Sequence, residues 1–179
     1  GNLDPCEYDV VVSAGEQITA GLMALAIQKL DVQARSWLGW QLPIRTDLQH
    51  ARAHIEKIET EAIAGSLARG VVAVVPGFQG IDQENRIATL GRGGSDASAV
   101  ALAASIRADL CNIYTDVDGV YTSDPNKVPE AKRLDKISYE EMLEMASLGA
   151  KVMQPSAVQA SMVDNISIHV RSAFSEKSG

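Results

Sequence analysis

The segment LGRGGSDASAVALAASIRADLCNIYTDVDGVYTSDP, Leu90 to Pro125, holds a glycine loop, an alanine-rich helix, a short strand and an acidic turn, in that order. A loop opening a helix that returns to a strand is the repeating unit of an α/β layered domain. Gly91, Gly93 and Gly94 precede a helix expected over Ser95–Ile106. Glycine backbone lets a phosphate approach closely, and a helix N-terminus offers free N–H groups and a partial positive charge. Arg92 adds a cation inside the loop. The loop looks like a phosphate-binding loop, yet it is neither GxxxxGK[ST] nor a completed GxGxxG. The plainer alternative is a tight turn in which Ser95 or Asp96 only caps the helix. Asp96 in the first turn suits the helix dipole. It would equally suit a reacting centre, holding a Mg2+-bound water or orienting a lysine or a substrate amine.

Upstream, Tyr8–Ser13 (YDVVVS) reads as a buried strand, followed by a helical stretch over Ile18–Leu30 and a second strand over Val32–Trp37. Residues 38–47 read as a loop and Ala51–Arg69 as a helix closed by Gly70. Val71–Gly80 reads as a strand ending in a Pro-Gly turn, and 81–90 as a hairpin or flap. Downstream of the acidic turn, a polar excursion leads to a helix that Ser138 would cap with Glu141 as capping-box partner. A helix after Pro155 and a strand over 166–173 follow. Strands alternating with helices imply a largely parallel sheet, and ligands then bind beyond the carboxyl ends of its strands. Glu16 falls there on this reading, as dipole partner or as receptor for a substrate ammonium. Thr115 and Asp116 fall at another strand end, where Asp116 could accept from an amino or hydroxyl group and Tyr121 could face a nucleotide base. Lys151, near a break between helices, either meets helix carbonyls or a nucleotide phosphate.

A length of 179 residues suggests one domain, or most of one, with no linker that would divide it. The apolar share is 46% but aromatics are 4%, so the core must be built from Ala, Val, Leu and Ile. A net charge of -7 argues against broad binding to nucleic acid or anionic membranes. Cys6 and Cys111 lack metal-type spacing and read as free thiols in a reducing compartment. No run approaches the roughly 18 apolar residues of a membrane span, and no signal peptide is recognisable; a cytoplasmic enzyme is the expectation. His50, His54 and His169 form no metal or catalytic pattern, His50 and His54 being expected on a helix surface. The EF-hand spacing is not met in the acidic turn, and no GxSxG elbow occurs.

Taken in order, VVVSAGEQ, PGFQG, TLGRGGSDASAVALAA, IYTDVDGVYTSDP, YEEMLEMASLGAKV and HVRSAFSEKSG resemble the aspartate kinases, a branch of the amino-acid kinase family, over nearly the whole chain. The resemblance implies a three-layer α/β/α sandwich around a mainly parallel eight-stranded sheet. It implies transfer of the γ-phosphoryl group of ATP, with Mg2+, to the β-carboxylate of L-aspartate, the first step towards lysine, threonine and methionine. On that basis Glu16 and Arg92 bind aspartate, at its amino group and a carboxylate respectively. Gly93, Gly94 and Ser95 line the substrate and phosphate region, and Asp96 organises the reacting centre. Thr115, Asp116, Tyr121 and Asp124 hold ATP, with Lys151 and Val152 closing the nucleotide pocket; no protein metal site is expected. A homo-oligomer, or an assembly with regulatory ACT domains, is implied for the full-length protein.

There are departures. Nothing before Tyr8 matches the family's Lys-Phe-Gly-Gly-Thr-Ser loop, and the ACT pair is not reached. Ala97 stands where Thr is usual, and Ser156 where Arg is common. Residues 1–179 are therefore expected to be most of one catalytic domain, without its N-terminal strand and loop, and inactive or nearly so alone. The alternatives are a glutamate, N-acetylglutamate or nucleoside monophosphate kinase of the same family, or a non-catalytic nucleotide-binding subunit.

Overall fold

A computed structural model describes residues 4–149 and 152–175. It opens on a helix, α1 (Pro5–Gln28), where the sequence reading placed a strand over Tyr8–Ser13. The start signal was present: Asp4 caps the helix by accepting from the Cys6 amide at 2.9 Å, and Pro5 occupies the first turn. The valines at 10–12 cost a few tenths of a kcal/mol each in a helix. Tertiary packing offsets that cost, because Asp9, Ser13, Ala20 and Ala24 form one buried stripe at helical spacing. That stripe faces the strands β1 (Ala34–Ser36), β4 (Val72–Val74) and β6 (Ile87–Thr89).

The expected loop over 38–47 contains a strand, β2 (Ile44–Thr46), and the expected helix over 51–69 divides into β3 (Ile55–Ile58) and a short α2 (Glu61–Ala68). The cause is non-local: β3 pairs antiparallel with β2, and Leu42, Ile44 and Ile58 bury together with Trp37 and Ile63 under α2. Gly70 follows α2 at φ +74, the left-handed conformation a helix-ending glycine supplies. The hairpin is as expected, β5 (Gln79–Ile81) pairing antiparallel with β6.

The segment that decides the fold forms α3 (Gly94–Ser105) and β7 (Cys111–Thr115). Then come α4 (Tyr139–Ser147), with the Ser138–Glu141 capping box complete, α5 (Pro155–Asp164) and β8 (Ile168–Ser172). The strands join as β1-β4, β3-β2-β5-β6 and β7-β8, and the β1-β4, β2-β5 and β7-β8 pairings are parallel. So among the described residues the eight strands lie in three hydrogen-bonded groups rather than one continuous sheet, with an α/β character that is mainly parallel. The larger core lies between β7-β8 and α3, α4 and α5, built of Val100, Ile113, Met142, Met153, Val158 and their neighbours. Both cysteines are free. By length and composition α1 could cross a membrane, contrary to the sequence reading, although here it packs on strands.

Candidate active site

The glycine loop is a two-sided backbone device. Gly91 (φ +71) and Gly93 (φ +77) adopt left-handed conformations that a side chain would strain. The Gly94 amide turns back to the Gly91 carbonyl at 3.1 Å, and the Ala97 amide makes the first helical bond to the Gly93 carbonyl. A Cβ on Gly93 would lie 2.3 Å from Gln154 Cγ, and one on Gly94 2.7 Å from Leu90 Cβ. The loop therefore fits against the residue that precedes α5, and only glycine leaves room for that contact.

The Pro76–Phe78 turn lies alongside. The Leu90 amide donates to the Phe78 carbonyl at 2.9 Å, and the Phe78 amide donates to Ser98 Oγ at 3.1 Å. Ser98, buried on α3, donates its own hydroxyl to the Ser95 carbonyl at 2.9 Å. A cavity of about 320 Å3 opens here, lined in part by Pro76, Gly77, Ser95 and Ser98.

Gln79, 2% exposed, ties this turn to α1. It donates to the carbonyls of Ser13 and Gly77 at 3.3 Å each and accepts from Gln17 Nε2 at 2.9 Å. Glu16 is thus in mid-helix, not at a strand end, beside residues that contact the turn. Its side chain is half-buried without a hydrogen-bond partner among the described residues. Arg92 is exposed and likewise unpaired. Asp96 is half-buried, and no described residue bonds its carboxylate; burial holds its carboxyl above the usual range. Burial, and behind it the Asp96 charge, pushes the Cys111 thiol up, which sets Asp96 close to β7.

At the far end of β7, Thr115 Oγ1 donates to Asp116 Oδ1 at 3.1 Å, and the Ala173 amide beyond β8 donates to the Thr115 carbonyl. Tyr121 donates to Asp118 Oδ1 at 3.0 Å, a bond that raises the phenol's affinity for its proton. Asp124 is exposed and accepts from the Asn126 amide at 3.0 Å, closing its own turn. Val152 packs on the larger core, while Lys151 lies outside the described residues. A cavity of about 700 Å3 is lined by Gly119, Val120, Arg133 and His169 among others, but not by Thr115, Asp116, Tyr121 or Asp124. Among the described residues no group of three or more His, Cys, Asp or Glu could hold a metal ion.

Sequence reasoning missed a buried cluster. Asp9 is fully buried, and its Oδ2 accepts from His50 Nδ1 at 2.9 Å and from the amides of Ala51 and Thr89 at 3.0 Å each. Its Oδ1 accepts from Thr89 Oγ1 at 2.6 Å. His50 Nε2 meets Asp82 Oδ2 at 3.2 Å. His50 is therefore not on a helix surface: its side chain is 7% exposed, between two carboxylates. His54 is on the surface, but in the strand-side loop, paired with Asp47 at 2.8 Å. The one local signal was Asp9 itself, an acid inside an apolar run; its partners lie 41 to 80 residues away.

The glycine loop, Arg92 and Asp96 thus come together at the N-terminus of α3 in an α/β domain. Residues 2–172 match the amino acid kinase family, and the chain belongs to it. It is 53% identical over 175 residues to aspartate kinase of Pseudomonas fluorescens, covering 98% of this chain and 42% of that protein. Its fold matches aspartate kinase from Synechocystis with a TM-score of 0.85 and 44% identity, over 99% of this chain and 29% of that one. It matches Escherichia coli aspartokinase III, in a crystal structure with aspartate and ADP, with a TM-score of 0.83 and 36% identity, over 94% of this chain and 38% of that one. The chain thus spans about two fifths of the length of the curated relatives it matches, and the α/β kinase fold read from its motifs is the fold it has.

Proposed function

We propose that the protein containing this chain phosphorylates the β-carboxylate of L-aspartate with MgATP. The observation that carries the reading is Arg92, without a partner among the described residues, on a glycine loop at the N-terminus of α3, near Asp96, whose carboxylate no described residue bonds. A guanidinium matches a carboxylate with two parallel hydrogen bonds, and Glu16 supplies the charge to receive the α-ammonium. Gly93, Gly94 and Ser95 line the path of the travelling phosphoryl group, with the backbone N–H groups of Gly93 and Ser95 as donors, while the Gly94 amide is held by the Gly91 carbonyl. A β-carboxylate oxygen bonds to the γ-phosphorus as the bond to the ADP oxygen breaks, so the products are 4-phospho-L-aspartate and ADP. Positioning and charge neutralisation supply most of such a transfer.

Thr115, Asp116, Tyr121 and Asp124, with Lys151 and Val152, hold the nucleotide on this reading. Asp124 would have to give up part of its turn to do so. Mg2+ takes one or two carboxylates together with substrate phosphates; Asp96 fits that role, and the ion would neutralise phosphate charge. A cytoplasmic homo-oligomer with further regulatory domains goes with the same reading, as does residues 1–179 being most of one catalytic domain.

The test is ADP release by the full-length enzyme with aspartate, glutamate, N-acetylglutamate or UMP as acceptor. Turnover with aspartate alone, and a KM for aspartate raised about 100-fold or more by Arg92→Ala, the loss of a charged contact, are expected. Turnover with another acceptor, or ATP binding without turnover, would overturn it.

A further inference from the structure

We infer that His50 is a positioning residue, an imidazolium clamped between Asp9 and Asp82 that fixes the two substrate-side charges, Glu16 and Arg92, relative to one another. This rests on the reading of Glu16 and Arg92 as aspartate-binding residues.

The geometry supplies the steps. Asp82 Oδ1 already accepts from the amides of Glu84 and Arg86 at 2.9 Å each, and its Oδ2 faces His50 Nε2. Asp9 accepts four bonds, counting the one from His50 Nδ1. Both ring nitrogens therefore meet carboxylate oxygens. A neutral imidazole has one N–H, whereas the imidazolium has two and satisfies both contacts. The titratable groups facing the ring are Asp9 from α1 and Asp82 from the β5–β6 turn, with the Glu7–Arg86 pair outside them at 2.6 Å.

The clamp reaches the site by two routes. Asp9 lies on α1, two turns before Glu16, and its bonds to Thr89 anchor that helix to the end of β6. Thr89 is two residues before Gly91. On the other side, the Asp9 bond holds Ala51 at φ +65, and the Ala51 carbonyl is 2.9 Å from where a Gly91 Cβ would be. The Ala53 amide also bonds the Thr89 carbonyl at 2.9 Å. Release of His50 thus frees α1 and the Arg92 loop together, while none of the clamp's hydrogen bonds reaches β7.

The experiment uses the full-length enzyme labelled with 15N-histidine. Two protonated ring nitrogens for His50 at neutral pH are expected, assigned by correlating the ring and backbone nuclei of His50 in wild-type enzyme whose histidines carry 13C as well as 15N. In His50→Gln and Asp82→Asn, KM for aspartate is expected to rise about 10-fold, with kcat and KM for ATP changing less than threefold. A His50 ring carrying a single N–H overturns the clamp, and this holds even where the variants do not fold. Equal shifts in both KM values, or none, overturn the positioning role. Arg92→Ala separates the two readings: an unchanged KM for aspartate there defeats the substrate reading, while the 15N spectrum still decides the clamp.

Discussion

Asp9 and Asp96 are two carboxylates whose surroundings push them in opposite directions, and so their pH signatures differ in sign. Burial pushes Asp9 up, but the Thr89 hydroxyl and amide, the Ala51 amide and His50 together pull it further down, so it titrates below the ordinary range. Its stabilisation is complete above the ordinary carboxylate pKa of about 3.9 and is lost as pH falls through the folded value. Asp9→Asn leaves several buried donors poorly matched and is expected to cost about 3 kcal/mol at neutral pH. That deficit, measured by urea unfolding, should shrink in acid, whereas a deficit constant with pH would show that Asp9 works through packing alone. Asp96 is raised by burial. Its ionised form costs stability above the raised folded value, and the cost vanishes once pH falls below the ordinary one. Asp96→Asn is therefore expected to raise Tm at neutral pH, with no gain in acid, while lowering kcat about 100-fold or more. A lower Tm at neutral pH would instead mean that Asp96 serves mainly as a helix-dipole partner.

At the level of elements, the loop–α3–β7 unit was legible because its signals are local: glycines before a helix, an alanine-rich run, then a β-branched and aromatic strand. The Ser138 capping box was legible for the same reason. Helix α1 was misread because Val10–Val12 favours a strand by propensity, while the stripe that makes it a helix extends to Ala24. The β2–β3 pair was missed because its register is set between strands, with Ile44 opposite Ile58. Of the site, Arg92 and Asp96 could be placed from the loop alone. Gln154, which closes on Gly93 from across the fold, and His50 could not. The Gly93–Gln154 contact makes the coupling between the loop and α5 measurable. Gly93→Ala is expected to cost about 2 kcal/mol, from the positive φ and the clash with the Gln154 side chain together. Adding Gln154→Gly removes the obstructing atoms, so the double variant should recover about 1 kcal/mol relative to additivity. Strict additivity in thermal or urea unfolding would mean that the strain is all backbone.

For the molecule as a whole, α1 carries a second apolar stripe opposite the buried one. Val11, Ile18, Leu22 and Leu25 are spaced by seven, four and three residues, and are 72%, 64%, 60% and 57% exposed. A helix apolar on both faces is ordinarily covered on both, and a contiguous exposed patch of this kind drives association. The isolated 179-residue chain is therefore expected to self-associate as its concentration rises. Leu22→Glu with Leu25→Lys places opposite charges on that stripe. These positions face away from Asp9, Ser13, Ala20 and Ala24, so the pair should lower the weight-average mass in sedimentation while the free energy of unfolding changes by less than about 0.5 kcal/mol, as is usual for surface substitutions. A chain that is monomeric at every concentration, or a double variant that loses several kcal/mol, would contradict this account: the first outcome would mean the outer stripe drives no association, the second that it is part of the core.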